Sequence, residues 1–209
     1  MNLKNLQQAE KAFLQRYPGG FANPEVIATR VKKHKPDQMI GLAQQSFSKD
    51  NFEFPDRIVQ NMVKVINRSS IISVFEKPRF RDFTAALNAP EREFLSSGLE
   101  QLLHGNEQTG FEMILDLLRS QRLAKWSLLT VCQTYLHPQR DVFIKPTTVK
   151  GVIETFELEN LHYKPTPSWV FYAAYRDAFY EMKSKVDRSL SPTNAAFSGF
   201  LWMTIRGEV

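Results

Sequence analysis

Prolines at the heads of apolar, helix-period runs constrain this chain more than any other feature. Proline fixes φ and has no N–H, so it is tolerated at the first position of a helix and disruptive further in. Asn23-Pro24-Glu25, Pro36-Asp37, Pro55-Asp56 and Asn88-Ala89-Pro90-Glu91 all read as such starts, two of them behind an Asn cap. Apolar residues then recur at intervals of three and four, as in Ile58, Met62, Val65 and Ile66. Cut this way, the sequence predicts an all-α protein, an irregular multi-helix globule of about nine or ten helices. Only Ile71–Phe75 has strand character, and no partner strand follows it. It is at most a vestigial strand, read here as a buried helical extension or a connector.

The remaining elements follow the same logic. Leu3, Leu6, Phe13 and Tyr17 mark a first helix that Pro18-Gly19-Gly20 stops. Lys77-Pro78-Arg79-Phe80-Arg81 reads as a basic turn, and Gly105 as the cap of a helix begun near Asn88. Glu107–Arg122 and Trp126–Leu136 are apolar-striped helices, the second ended by His137-Pro138. A phrase is then written twice: Ile144-Lys145-Pro146-Thr147-Thr148 and Tyr163-Lys164-Pro165-Thr166-Pro167-Ser168. Each copy is expected at the head of a helix, with Thr147 or Thr148 capping the first and Pro167-Ser168 opening the second. Aromatics run nearly round that second helix (Trp169, Phe171, Tyr172, Tyr175, Phe179, Tyr180), which predicts a central position. Ser191-Pro192-Thr193 opens a last helix.

Charge divides the chain. Residues 1–90 hold 14 Lys/Arg against 8 Asp/Glu, net +6, whereas residues 91–209 hold 13 against 14, net −1. With two prolines near 77–90, this suggests an N-terminal basic helical region, 1–80, and a C-terminal helical domain, 81–209, or one continuous globule. A single cysteine, Cys132, excludes an internal disulfide framework and a Cys-based zinc site. No apolar run suffices to cross a bilayer and no signal-peptide core opens the chain, so a cytoplasmic protein of bacterial style, with no membrane partner, is expected.

Catalytic signatures are missing. The glycines form neither a Walker nor a dinucleotide fingerprint, and His34, His104, His137 and His162 lack metal-ligand spacing. No cofactor or metal is expected. Cys132 sits among Leu128, Leu129 and Val131, as an inert buried thiol would. Asp177 with Glu181-Met182-Lys183 imitates a nuclease motif but falls on one helix, where a solvated i, i+4 pair is the plain reading. His137-Pro138-Gln139-Arg140 imitates a recombinase motif without its context, and Glu154, Glu157 and Glu159 read as a solvated helix end. No catalytic residue is assigned.

The basic residues say more. Lys32, Lys33 and Lys35 close the second helix, where cations also suit the dipole. Arg79 and Arg81 flank Phe80, a mixture suited to phosphate contact and base stacking. Lys145 and Lys164 each precede a proline, and free N–H groups at two helix starts would add to their charge. These seven are the candidate contacts for nucleic acid or an acidic protein surface. Tyr163, Trp169, Tyr172 and Tyr175 are the candidates for a small-ligand pocket or enzyme site. A helical scaffold pairing through exposed aromatics is the third expectation.

Phe143-Ile144-Lys145-Pro146-Thr147, then Tyr163-x-x-x-Pro167-x-Trp169-x-x-Tyr172, then Phe197 and Phe200-Leu201-Trp202, resembles a domain of uncharacterised bacterial proteins. The resemblance spans about residues 100–205, and Pro192-Thr193-Asn194 departs from that domain's acidic segment. Some of those proteins sit beside DNA-restriction or defence components, so the resemblance implies a role near nucleic acid and no defined activity.

Overall fold

Helix starts govern the architecture, as the prolines imply. In a computed structural model, which describes residues 1–208 except the side chains of Arg30, Val31 and Lys33, eleven α-helices follow one another. They are α1 (Leu3–Arg16), α2 (Pro24–His34), α3 (Pro36–Ser46), α4 (Pro55–Arg68), α5 (Glu76–Ala86) and α6 (Ala89–His104). Then come α7 (Glu107–Ser120), α8 (Trp126–Leu136), α9 (Pro146–Thr155), α10 (Trp169–Lys183) and α11 (Asn194–Ile205). Three short 3-10 turns interrupt the connections, and the described residues contain no strand. The protein is all-α.

Pro36, Pro55 and Pro146 are the first residues of α3, α4 and α9. Asn88 forms a reciprocal capping box with Glu91, and Asn106 and Ser168 cap α7 and α10 with their side chains. After α1 the chain reverses through Gly19 and Gly20, whose φ values of 82° and 62° suit glycine.

Four expectations need correction. Lys77–Arg81 is not a turn, because α5 runs through it. Pro78 falls in the first helical turn, where its missing N–H has no intrahelical acceptor to lose, and this is the helix the sequence missed. Lys164 does not head a helix either. A residue before proline avoids α geometry, so the two prolines of Lys164-Pro165-Thr166-Pro167 keep the chain irregular until Ser168 caps α10. Neither Thr147 nor Thr148 caps α9: both lie inside it, and Lys145 holds the cap position without a side-chain bond. Finally, α10 is not the central helix, since Val170, Ala174 and Asp177 face solvent.

That place belongs to α8, in which every residue from Trp126 to Tyr135 is buried. A helix apolar on all sides can satisfy itself only by being surrounded, and α3, α4, α6 and α7 pack around it. Ile71–Phe75 is a connector between α4 and α5. One contiguous core runs from Leu6 in α1 to Leu201 in α11 and takes side chains from both sides of residue 80. The start of α1 is tied to the end of α9: the Asn2 amide donates to Phe156 O at 2.7 Å, and the Asn5 side chain to Thr155 O at 2.9 Å.

Candidate nucleic-acid interface

The first two turns of α8 anchor three of the predicted basic positions, Lys164, Lys145 and Arg79. The Trp126 indole N–H donates to the carbonyl of Lys164 at 3.0 Å. The next turn up, Thr130 Oγ1 accepts from Ile144 N at 3.1 Å, which fixes the backbone beside Lys145. Lys164 and Lys145 are therefore tied to the same helix about one turn apart, roughly 6 Å along its axis. Both side chains are exposed. Lys150 lies 5.2 Å over the Tyr163 ring, beside Lys164. Lys125, exposed at the cap position of α8, joins them.

The other side of α8 leads to the N-terminal candidates. Ser127 Oγ donates to Glu76 Oε2 at 2.8 Å, joining α8 to the start of α5. One turn into α5 stands Arg79, exposed. His34 Nδ1 lies 2.9 Å from Ser70 Oγ, which brings the end of α2, with exposed Lys32 and Lys35, against the α4–α5 connector. Among the described residues, Lys32, Lys35, Arg79, Lys145 and Lys164 form no ion pair. The Lys33 side chain lies outside the described residues.

Arg81 belongs elsewhere. Two positions along a helix is about 200° of rotation, so Arg79 and Arg81 diverge. Arg81 pairs with Asp82 at 2.9 Å and borders an open groove of about 330 Å³ lined by Val59, Val63 and Thr84. Phe80 is buried in the core and presents no stacking surface.

The aromatic candidates pack on one another. Tyr172 and Tyr175 are buried; Tyr172 stacks on Phe111 at 5.8 Å, and Tyr175 on Phe171 at 6.1 Å. Trp169 fills the side of Phe111 and Tyr172, while Tyr163 meets Phe171 edge-on. Burial pushes the Tyr175 phenol above its ordinary pKa and the Cys132 thiol up to about 12.

The densest polar chemistry is one that spacing did not reveal. Asp141, whose side chain is 0% exposed, accepts from Tyr172 Oη at 3.0 Å, Arg176 Nη1 at 3.2 Å and Arg140 Nε at 3.1 Å. Arg176 also pairs with Glu107 at 2.7 Å and lies over the rings of Trp169 and Tyr172. Burial opposes the Arg176 charge, but Glu107, Tyr172 and Asp141 outweigh it and raise the guanidinium's pKa. Two arginines balance two carboxylates, so the cluster works as an internal clamp. Tyr180 Oη and Asn194 extend it through the Arg140 and Asp141 carbonyls.

His137 borders this clamp, and its Nε2–H donates to Leu103 O, 3.0 Å away. Burial lowers its pKa; the Leu103 carbonyl opposes that shift, Arg140 adds to it, and Asp141 and His104 act in opposite senses. A depressed native pKa means the unfolded chain takes up the proton first. The stability His137 contributes is therefore present above its unfolded pKa of 6.5 and lost as pH falls through the native value. Denaturant titrations from pH 7.5 to 5 are expected to show a decline that His137→Gln flattens; equal slopes for both proteins would refute this.

Among the described residues, no cluster of three metal-ligating side chains occurs, and no helix is long and apolar enough to cross a membrane. Sequence reasoning missed Lys125, Phe75 and the Asp141 clamp. A cation beside the Trp126 helix start could have flagged Lys125; nothing in spacing pointed to the clamp. No protein-family profile, curated protein or solved structure matches the chain, and the assignment rests on its own residues.

Proposed function

We propose that the protein is a nucleic-acid-binding module whose interface is the basic face around the N-terminal turn of α8. The carrying observation is that the Lys164 carbonyl and the backbone beside Lys145 are held one turn apart on α8, with Arg79 following on α5 through Ser127–Glu76, while Lys32 and Lys35 adjoin the α4–α5 connector through His34–Ser70. Exposed cations without internal carboxylate partners gain little for the fold. They suit phosphate neutralisation, which draws its energy from released counterions.

Salt dependence tests the reading. Fluorescence anisotropy with a labelled oligonucleotide should give log K falling linearly with log salt, with a slope of about −3 if four phosphates are engaged. Lys145→Ala with Lys164→Ala should make that slope shallower by roughly 1.5. Undetectable binding at low salt would refute the reading. Polyglutamate binding as tightly as the oligonucleotide would point instead to an acidic protein surface.

A further inference from the structure

One feature of this face is unsuited to phosphate contact alone. At the tip of the α4–α5 connector Phe75 is 80% exposed, the largest exposure among the big apolar side chains of the described residues, and its neighbour Val74 is 70% exposed. We infer that Phe75 is a stacking platform for an unpaired base, so that the nucleic acid held by the basic face is single-stranded. The inference rests on the nucleic-acid reading above and narrows its ligand.

The connector presents Phe75 on an anchored support. Its base is fixed where buried Ser69 meets Tyr135 Oη at 2.9 Å, and Ile71 N donates to Ser69 Oγ. Ile72 is buried in the core. Beyond it, Ser73 Oγ accepts from Phe75 N, and Ser73 O accepts from Glu76 N at 3.0 Å, turning the chain into α5. Phe75 thus occupies the cap position of α5, between Ser73 and Glu76, which hydrogen bonds hold in place. An aromatic ring held in water by a braced loop keeps its apolar face for a partner at little further entropic cost.

Cations stand on the elements that flank the connector. Arg79 is four positions on, one turn along the same side of α5. Lys77 Nζ donates to Asn67 O at 3.0 Å, which holds its charge beside the connector. Lys35 follows His34, which touches Ser70 at the connector's start. An apolar ring amid positive charge is a poor seat for a second apolar protein face. It fits a strand that offers base faces and phosphates alternately, the pairing that sequence-tolerant single-strand binders use. A duplex keeps its base faces stacked inside, out of reach of a ring that does not wedge between them.

The test compares oligo(dT), an unpaired mixed-sequence strand and its duplex, each titrated against wild type, Phe75→Ala and Phe75→Trp. Phe75 packs on little, so both variants are expected to fold as wild type, which circular dichroism checks. The expected result is tighter binding of both single strands than of the duplex. Phe75→Ala should weaken single-strand binding by roughly 5- to 100-fold, with Phe75→Trp restoring it and duplex binding unchanged. Wild type that binds strands with Phe75→Ala equally tight would overturn the stacking role while leaving the basic interface standing. Absence of wild-type binding to any nucleic acid would remove the underlying reading as well. If Phe75→Ala instead abolished self-association seen by light scattering, a second copy of the chain would be the occupant and the inference would fail.

Discussion

Asp141→Ala is expected to destabilise the protein by about 3–5 kcal/mol, because it leaves Arg140 and Arg176 to share the single carboxylate of Glu107 and removes the fully buried half of the pair. The Asp141 side chain is fully buried, and its partner Arg176 is only 17% exposed. Glu107 would still pair with Arg176, but at 22% exposure it is the wetter half of the arrangement. Tyr172 Oη would lose its acceptor too. Burial, the first cause, and the Asp141 charge hold that phenol's pKa well above the ordinary value, so it is a committed donor. Asp141→Asn keeps the shape and one acceptor and should cost less, about 1–3 kcal/mol. Joint replacement, Asp141→Leu with Arg176→Met, should recover much of the loss, since an apolar pair of similar volume avoids burying unpaired charge. Urea denaturation of the four proteins measures each difference. A loss under 1 kcal/mol for Asp141→Ala would show that the clamp carries little of the fold's stability.

The clamp also bears on the basic face. It joins α7 through Glu107, α10 through Tyr172 and Arg176, and α11 through Asn194, whose Nδ2 donates to Asp141 O at 3.2 Å. Three residues after Asp141, Ile144 docks on Thr130, and Lys145 comes next. Slack at Asp141 would thus reach the segment that places Lys145, and oligonucleotide affinity should fall along with stability.

Local chemistry explains which parts of this arrangement were legible. Proline at a helix head is a strictly local signal, so the starts of α3, α4 and α9 could be read from Pro36, Pro55 and Pro146. The α5 start could not, because Pro78 at the third position of a helix and Pro in a turn look alike without knowing where the first turn begins. Apolar pattern identifies residues that prefer burial without showing which of them achieve it. Ile72 is buried and Phe75 exposed within one apolar run, and only the docking of Ser69 on Tyr135 decides between them. Aromatics round α10 suggested a central helix, yet the less aromatic α8 is the surrounded one. As for the clamp, Glu107, Asp141 and Arg176 lie on separate elements, and their meeting is set by packing that no spacing rule encodes. The two lysines of the doubled phrase were found for a reason that did not survive: only Lys145 heads a helix, whereas Lys164 reaches the same face because its carbonyl accepts from Trp126.

Gly110→Ala is expected to cost about 3 kcal/mol, although alanine is the better helix former by about 1 kcal/mol. Helices α6 and α7 cross at Gly98 and Gly110, and the backbones come close enough that a Cβ at Gly110 would meet Leu102 N, with Gly98 O at 2.5 Å and Leu102 Cα at 2.6 Å. Those are main-chain atoms of a helix and cannot rotate aside. The two helices must separate, and the separation propagates to Leu95, Leu99, Leu102, Ile114 and Leu118, all buried in the shared core. Gly98 is a control on the same crossing. Its Cβ would lie 3.1 Å from Met113 Cβ and 3.2 Å from Ile114 Cγ1, contacts that a shift of a few tenths of an ångström relieves. Gly98→Ala should therefore stay within about 1 kcal/mol of wild type, as propensity gain and crowding nearly offset. Gly110→Val, with two further methyl groups against the same backbone, should not fold cooperatively. Thermal and urea unfolding followed by circular dichroism separate the three. Equal stability of the two alanine variants would mean that the helices do not approach at Gly110 as closely as described, and the α6–α7 crossing would have to be redrawn.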